Sequence, residues 1–230
     1  MRDLLFLAAD VSLIVAGLYY GWQFLRRYHN HLLALEWLVV GSSATNFLLW
    51  ALLGGSEDSP LYDLAYALDA FSRSFGITLI LVIGLLAVTH RWRPPVWVEV
   101  GVTALALAGA LAFGGLHSDT DVNIPLATFY VVTNLLIACF LLWFASRLWA
   151  IGARPQAVLT ALVTAAASYI AITYDFFPWS FDDADRTLFY TASLSTWAAQ
   201  GIVYFHGYRA MHEHNVRSEV ATGGRVGVPA

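Results

Sequence analysis

The chain has 230 residues, of which 59% are hydrophobic and only 12% are charged. Soluble domains carry about a quarter charged residues, so the composition indicates a membrane protein and excludes an ordinary soluble domain. A net charge of −4 also excludes the basic surface of a nucleic-acid-binding protein, and we expect no nucleic-acid partner.

The sequence offers little for metal or cofactor chemistry. The single cysteine, Cys139, lies in an apolar run, so neither an intrachain disulfide nor a thiolate metal site is expected. His212 and His214 flank a glutamate, but we interpret them as polar residues of a tail. We therefore predict no metal and no cofactor. All twelve basic residues are arginine, which is typical of a GC-rich bacterial genome.

Apolar runs dominate the chain and are separated by short polar connections. Each run has about 18–29 residues, and about 20 suffice to cross a bilayer as a helix. Residues 1–210 are predicted to form one membrane domain, and residues 211–230 a polar, disordered cytoplasmic tail. The predicted spans are residues 4–24, 32–53, 61–89, 96–113, 126–148, about 157–174, and 187–207.

Charged residues in the connections alternate in sign along the chain. Arginines concentrate on the cytoplasmic side of membrane proteins, which sets the orientation of the helices. We therefore predict an all-α bundle of seven transmembrane helices in the inner (plasma) membrane, with the N-terminus outside and the C-terminus cytoplasmic. The arginines are Arg26, Arg27, Arg91, Arg93, Arg147, Arg154, Arg209 and Arg217, and the acidic residues between them are Glu57, Asp58, Asp119, Asp121, Asp182, Asp183 and Asp185.

The third span carries an acid and a base within its first half. Asp69 and Arg73 are spaced i, i+4, so their side chains meet on one helix face, which Tyr62 and Tyr66 share. Two charges inside a bilayer are expensive unless they face the protein interior and each other. We predict that they pair and that the other helices pack around this face. A purely structural ion pair is the alternative.

Polar side chains of other spans fall at a similar depth, in the outer half of the bundle. We expect them to converge on an amphipathic pocket, with the polar-poor fourth helix at the periphery. Hydrogen bonds between helices and an interfacial aromatic belt are the alternatives. Asp10 has no basic neighbour in its helix, so we expect it to be neutral, paired with Arg73, or in a water-filled cavity. The predicted catalytic acids are Asp10, Asp69 and Asp175, and the predicted binding residues are Asn46, Trp50, Tyr66, Arg73, Tyr130, Asn134, Trp197 and Gln200.

One resemblance is to the rhodopsins, which share the predicted topology. Residues 174–179 (YDFFPW) and 197–201 (WAAQG) resemble the sixth and seventh helices of microbial rhodopsins. A covalent retinal pigment needs a lysine for its Schiff base, and these 230 residues contain none. Covalent retinal is thereby excluded, whereas a ligand-binding relative is not.

A second resemblance is to the small transmembrane terpene cyclases of meroterpenoid pathways. Residues 46–50 (NFLLW) are similar to their Asn-x-x-Trp-Glu signature, with one extra residue and no glutamate. Gln200 and Gly201 stand where that family has an acid followed by glycine. The resemblance implies acid-initiated cyclisation of an isoprenoid. Such chemistry needs a protonated carboxyl in an apolar site and aromatic faces beside the carbocation.

Three function classes remain open from the sequence. An enzyme acting on an isoprenoid or lipid would use Asp10 or Asp175 as the acid, because a paired Asp69 stays ionised. A transporter or receptor would bind a small anionic or amphipathic ligand, with Arg73 as the counter-charge, since arginine does not deprotonate. A subunit would only pack against a partner. The expected partners are membrane lipid and a hydrophobic or amphipathic small molecule, and an oligomer remains open.

Overall fold

A computed structural model describes residues 1–114, 116, 122–177, 179–183 and 186–221. These residues form helices and no strand, as the sequence predicts. Asp119, Asp121, Asp185 and residues 222–230 of the predicted tail lie outside the described residues. The helices are α1 (Arg2–Tyr28), α2 (His31–Leu52), α3 (Pro60–Thr89), α4 (Val96–Gly114), α5 (Ile124–Ala150), α6 (Arg154–Thr173) and α7 (Thr187–Ala221).

Six of these helices, α1 to α6, are long and apolar enough to cross a membrane. The chain is therefore described as a multi-pass membrane protein. Helix α7 is longer still but more polar, since Ser193, Thr196 and Gln200 interrupt its apolar residues and its last turns are charged.

The helices pack side by side as a closed arrangement. Helix α1 contacts α2 and α7, α7 contacts α6, and α6 contacts α5. Helix α3 packs against α2, and its middle part contacts α5, which closes the bundle. Helix α4 packs mainly on α3 and leaves most of its surface exposed, so its predicted peripheral position is confirmed.

The tight turn between α1 and α2 has two local causes. His29 adopts a left-handed conformation, with φ of 49°, which ends α1. Asn30 then caps α2 by accepting a hydrogen bond from the backbone N–H of Leu33. The two helices touch closely at glycines, because a Cβ on Gly17 would lie 2.6 Å from the backbone nitrogen of Gly41.

Helix α7 continues through residues 211–221, which we expected to belong to the tail. Arg209 donates to Glu213 at 2.7 Å, an i, i+4 pair that supports a helix. The amide of Asn215 donates to the carbonyl oxygen of Val88 at 2.8 Å, which anchors this part of α7 to the end of α3.

The bundle has two ends with different charges. The arginine end comprises the α1–α2 turn, residues 90–95, residues 151–153 and the last turns of α7. Contacts such as Arg91–Glu219 at 3.5 Å hold these segments together. The acidic end comprises residues 53–59 and the segment between α6 and α7, where Asp183 pairs with Arg2 at 3.2 Å.

Candidate functional site

The centre of α3 is not an α-helix. It is α-helical over Pro60–Phe71 and again over Leu81–Thr89, whereas Ser72–Ile80 between them is a π-helix of nine residues. π-Helical stretches are rare and occur frequently at functional sites. Residues of this π-segment contribute to three of the polar features described next: the surroundings of Arg73, a small cavity, and the surroundings of Glu36.

The first site surrounds Arg73, at the start of the π-segment. Its guanidinium lies 3.5 Å from Asp69 Oδ2, so the predicted pairing is confirmed, and 2.5 Å from Asp175 Oδ2. The guanidinium carbon also lies 4.1 Å from the ring centroid of Tyr130 and 4.4 Å from that of Tyr174. A cation enclosed by two carboxylates and two aromatic faces is held tightly, and its side chain is only 15% exposed.

This cluster changes the interpretation of its members. Asp175 follows the end of α6, and its contact with Arg73 joins α6 to α3. Because Asp69 and Asp175 both pair with Arg73, both carboxylates are engaged in ion pairs in this conformation. The same carboxylates occupy the place that an anionic ligand would take beside Arg73.

Three further predicted binding residues close the hairpin between α2 and α3. The side-chain amide of Asn46 donates to the carbonyl oxygen of Leu61 at 2.8 Å. The Trp50 ring lies 5.8 Å from the Tyr62 ring, which lies 4.7 Å from the Tyr66 ring. These contacts give Asn46, Trp50 and Tyr66 structural roles at the acidic end, beside the Arg73 cluster.

The second site is a small polar cavity deeper in the bundle. It has a volume of about 20 Å³, room for one water molecule. Asn134 and Gln200 line it, together with Ile77 of the π-segment. Gln200 donates to the hydroxyl of Tyr204 at 3.2 Å, and that hydroxyl also hydrogen-bonds Thr164 at 2.9 Å.

Trp197 connects α7 to the Arg73 cluster. Its ring lies 5.9 Å from the ring of Tyr174, one of the two aromatic faces on Arg73. Tyr130 carries the other face, and its carbonyl oxygen accepts a hydrogen bond of 2.9 Å from the Asn134 amide. The predicted residues of α5 and α7 therefore belong to the cluster or to the cavity, and the Asn134–Tyr130 hydrogen bond connects the two.

Asp10 is isolated from the cluster. It is 1% exposed, and neither carboxylate oxygen has a hydrogen-bond partner. The ion pairs of Arg73 are made with Asp69 and Asp175, so the expected alternative of an Asp10–Arg73 pair is wrong. Apolar surroundings favour the neutral acid, because an unpaired charge is expensive to bury.

A second unpartnered acid, Glu36, was not among the predicted site residues. It is 0% exposed, and both carboxylate oxygens lack partners. The Ser72 hydroxyl lies beside the carboxyl without completing a hydrogen bond. A Cβ on Gly76 would lie 2.1 Å from Glu36 Oε2, so the carboxyl fills the space that this glycine leaves in the π-segment.

The sequence contains one indication that Glu36 is buried, but its position near a helix end favours exposure to water instead. It is the only acid within the apolar second run, but it lies near the run's start, where a charge can reach water. Only the packing of α2 against α3 shows that its carboxyl is enclosed.

Metal-ligating residues do not gather in the part of the chain that the structure describes: no group of three His, Cys, Asp or Glu side chains lies close enough to hold an ion. Comparison with protein-family models, with curated proteins and with solved structures finds no match. The class that the fold itself supports is a multi-pass helical membrane protein.

Proposed function

We propose that the chain is a seven-span protein of the bacterial inner membrane, with its N-terminus outside and its C-terminus in the cytoplasm. Arginines at one end of the bundle and acids at the other support this orientation. The packing of helix α7 supports the proposal of a seventh span. Helix α7 runs beside α1 and α6, and its last part contacts the end of α3.

Labelling of single cysteines tests this topology. In a Cys139→Ser background, Ser56→Cys at the acidic end should react with a membrane-impermeant maleimide in intact spheroplasts. Gly152→Cys at the arginine end should react only after permeabilisation. The reverse pattern, or equal labelling of both, contradicts the orientation.

We further propose that the protein is a transporter in which binding of a small anion at Arg73 is coupled to protons. The observation that carries this proposal is the sharing of Arg73 between Asp69 and Asp175. Protonation of a carboxylate weakens its hold on the guanidinium and lets an external anion take its place. The one-water cavity beyond the cluster and the unpartnered Glu36 supply polar positions farther along the bundle.

Anion-induced thermal stabilisation of the purified protein tests the coupling. At pH 7.5 small carboxylates and inorganic phosphate should raise the melting temperature of the wild type little, because Asp69 and Asp175 already pair with Arg73. Asp175→Asn, which mimics the protonated acid, should make the stabilisation large at the same pH. A ligand at 100 times its Kd raises the free energy of unfolding by about 2.7 kcal/mol.

Two arginine variants complete this experiment. Arg73→Gln should lose the anion-induced stabilisation, alone and in combination with Asp175→Asn, whatever its own melting temperature. Arg26→Gln, whose side chain stacks on Trp22 far from the cluster, should keep it. The proposal is refuted if anions stabilise the Arg73→Gln, Asp175→Asn double variant as much as Asp175→Asn, or if they do not stabilise Asp175→Asn.

An isoprenoid-directed enzyme is a second candidate, and Asp10 is the observation that favours it. Of the three predicted acids, it alone has no ion pair. Its neighbour Ala9 belongs to an apolar cluster against which the aromatic Phe6 and Trp197 pack. A neutral acid can donate its proton to an alkene, and loss of a proton from the resulting carbocation would give an isomer of the substrate.

Incubation of membranes with prenylated aromatic compounds, followed by mass spectrometry and chromatography, tests the enzyme. An isomeric product should appear with the wild type and with Asp3→Asn, whose acid is exposed, but not with Asp10→Asn. Isomer formation that survives Asp10→Asn excludes this acid.

A further inference from the structure

A cleft of about 520 Å³ opens at the arginine end of the bundle, away from the Arg73 cluster. The α1–α2 turn, the end of α3, the loop before α4, the first turn of α4 and Tyr208 of α7 form its walls. Its volume is in the range of small-molecule sites. The proposed function uses none of its residues, and the argument that follows does not depend on that function.

Hydrogen-bond donors line this cleft without matching acceptors. The Arg93 side chain is exposed and forms no ion pair with any residue that the structure describes. Tyr28 is only 5% exposed, and its buried hydroxyl has no hydrogen-bond partner. The Tyr208 hydroxyl accepts from the Asn30 amide at 3.4 Å and keeps its own proton for another acceptor.

The charges around the cleft favour an anion. Its single lining carboxylate, Glu99, is already engaged by His31 Nδ1 at 3.0 Å. His212 stacks on Tyr208 beyond the predicted span. Burial, followed by the charges of Arg93 and Arg27, outweighs Glu213 and Glu219 and lowers the pKa of His212. The guanidinium groups of Arg93 and Arg27 therefore contribute positive charge beside His212, in addition to the effect of burial.

Apolar and aromatic side chains flank the cleft on the surface of the bundle. Trp97 is 75% exposed and Val96 is 73% exposed, both at the start of α4, and Trp92 is 41% exposed in the loop before it. Exposed tryptophans at helix ends are typical of the membrane–water boundary. A ligand whose polar group occupies the cleft would lay its apolar chain along this surface.

We propose that the cleft binds the phosphate group of an amphiphile, with Arg93 and Tyr28 as its donors. Arginine matches phosphate by charge and by its fork of N–H groups. The Tyr28 hydroxyl supplies a neutral donor that no protein acceptor uses. The phosphate belongs to a membrane lipid headgroup or to a soluble phosphate compound, and the test separates the two.

Native mass spectrometry and binding titrations of the full chain in neutral nanodiscs test the site. The probes are phosphatidylglycerol, the phosphate-free lipid diacylglycerol and inorganic phosphate. We expect retained phosphatidylglycerol, and a Kd about tenfold weaker in Arg93→Gln, since a hydrogen bond to a charged group is lost. Tyr28→Phe keeps the ring packing against Phe24 and should weaken binding severalfold.

Arg91→Gln is the matched control, because Arg91 lies in the same loop but pairs with Glu219 outside the cleft. Its affinity should equal that of the wild type. If binding of phosphatidylglycerol depends on Arg93 and inorganic phosphate does not displace it, the cleft recognises the lipid headgroup. If millimolar phosphate displaces the lipid, the cleft recognises the phosphate group itself. Equal loss in Arg91→Gln and Arg93→Gln, or equal retention of both lipids by the wild type, overturns the proposal.

Discussion

The substitution Gly76→Ala tests whether Glu36 fills the space beside the π-segment of α3. The added Cβ would lie 2.1 Å from Glu36 Oε2, 2.8 Å from its Cδ and 2.9 Å from its Oε1. Ordinary van der Waals contact begins at 3.4 Å, so the carboxyl must move by more than 1 Å. The carboxyl is fully buried, and room for that movement is scarce in a close-packed bundle.

The expected cost follows from overpacking of a close-packed interior. Such insertions cost about 1–3 kcal/mol, and about 2–4 °C in melting temperature corresponds to each kcal/mol in a chain of this size. Gly76→Ala should therefore lower the melting temperature by about 2–12 °C. Unfolding can be followed by intrinsic fluorescence of the nine tryptophans in detergent.

Two companion experiments decide the cause. In a Glu36→Ala background the colliding atoms are absent, so Gly76→Ala should cost little, whereas in Glu36→Gln the cost should persist. Gly101→Ala in α4 is the matched control, because a Cβ there meets nothing within 4 Å. The reasoning is refuted if Gly76→Ala costs the same with and without Glu36, or if Gly101→Ala costs as much.

Three more predictions concern the ion-pair cluster, a helix cap and the acid Asp183 before helix α7. Arg73→Leu should destabilise by about 2–3 kcal/mol, because it leaves Asp69 and Asp175 facing each other without a cation, and adding Asp175→Asn should restore part of the loss in detergent unfolding. Asn30→Ala should cost about 2 kcal/mol by removing the cap on Leu33 and the 2.8 Å bond to the Gly84 carbonyl, whereas Asn30→Asp should keep the cap and lose only the second bond in the same assay. The backbone N–H of Thr187 favours the Asp183 carboxylate and lowers the pKa of Asp183, with Arg2 adding to the effect. This acid therefore stabilises the fold above its ordinary pKa, and that contribution is lost as the pH falls through the lower folded value. Asp183→Asn should flatten the fall in melting temperature as the pH drops below the ordinary aspartate pKa of about 4, and an unchanged acid limb would contradict this.

The positions of the helices were predictable because each depends on local composition. Predicted and observed bounds of α2 to α6 differ by a few residues at most, and caps such as Ser59 before Pro60 explain where a helix begins. The far end of α7 was not predictable. Its polar residues are typical of a tail, and only contacts such as Asn215 with Val88 show that they pack against another helix.

The candidate site was predictable only where contacts are local. The i, i+4 spacing predicted the Asp69–Arg73 pair. The approach of Asp175 joins residues 102 positions apart and depends on how α6 packs against α3. The enclosure of Glu36 depends in addition on the π-segment, for which the sequence pattern gave no indication.

The π-segment also means that the two ends of α3 do not share one helical phase. In an α-helix each residue advances about 100° around the axis. One extra residue in a wider turn therefore rotates all later residues of the helix by about 100° about that axis. Leu81 and Leu85 are fixed in the main core, while Asp69 lies before the widened turns and Arg73 lies at their start. Shifting the widened turns along α3 would therefore rotate the half that carries Asp69 about the helix axis. The half that carries Leu81 and Leu85 would keep its contacts with the core.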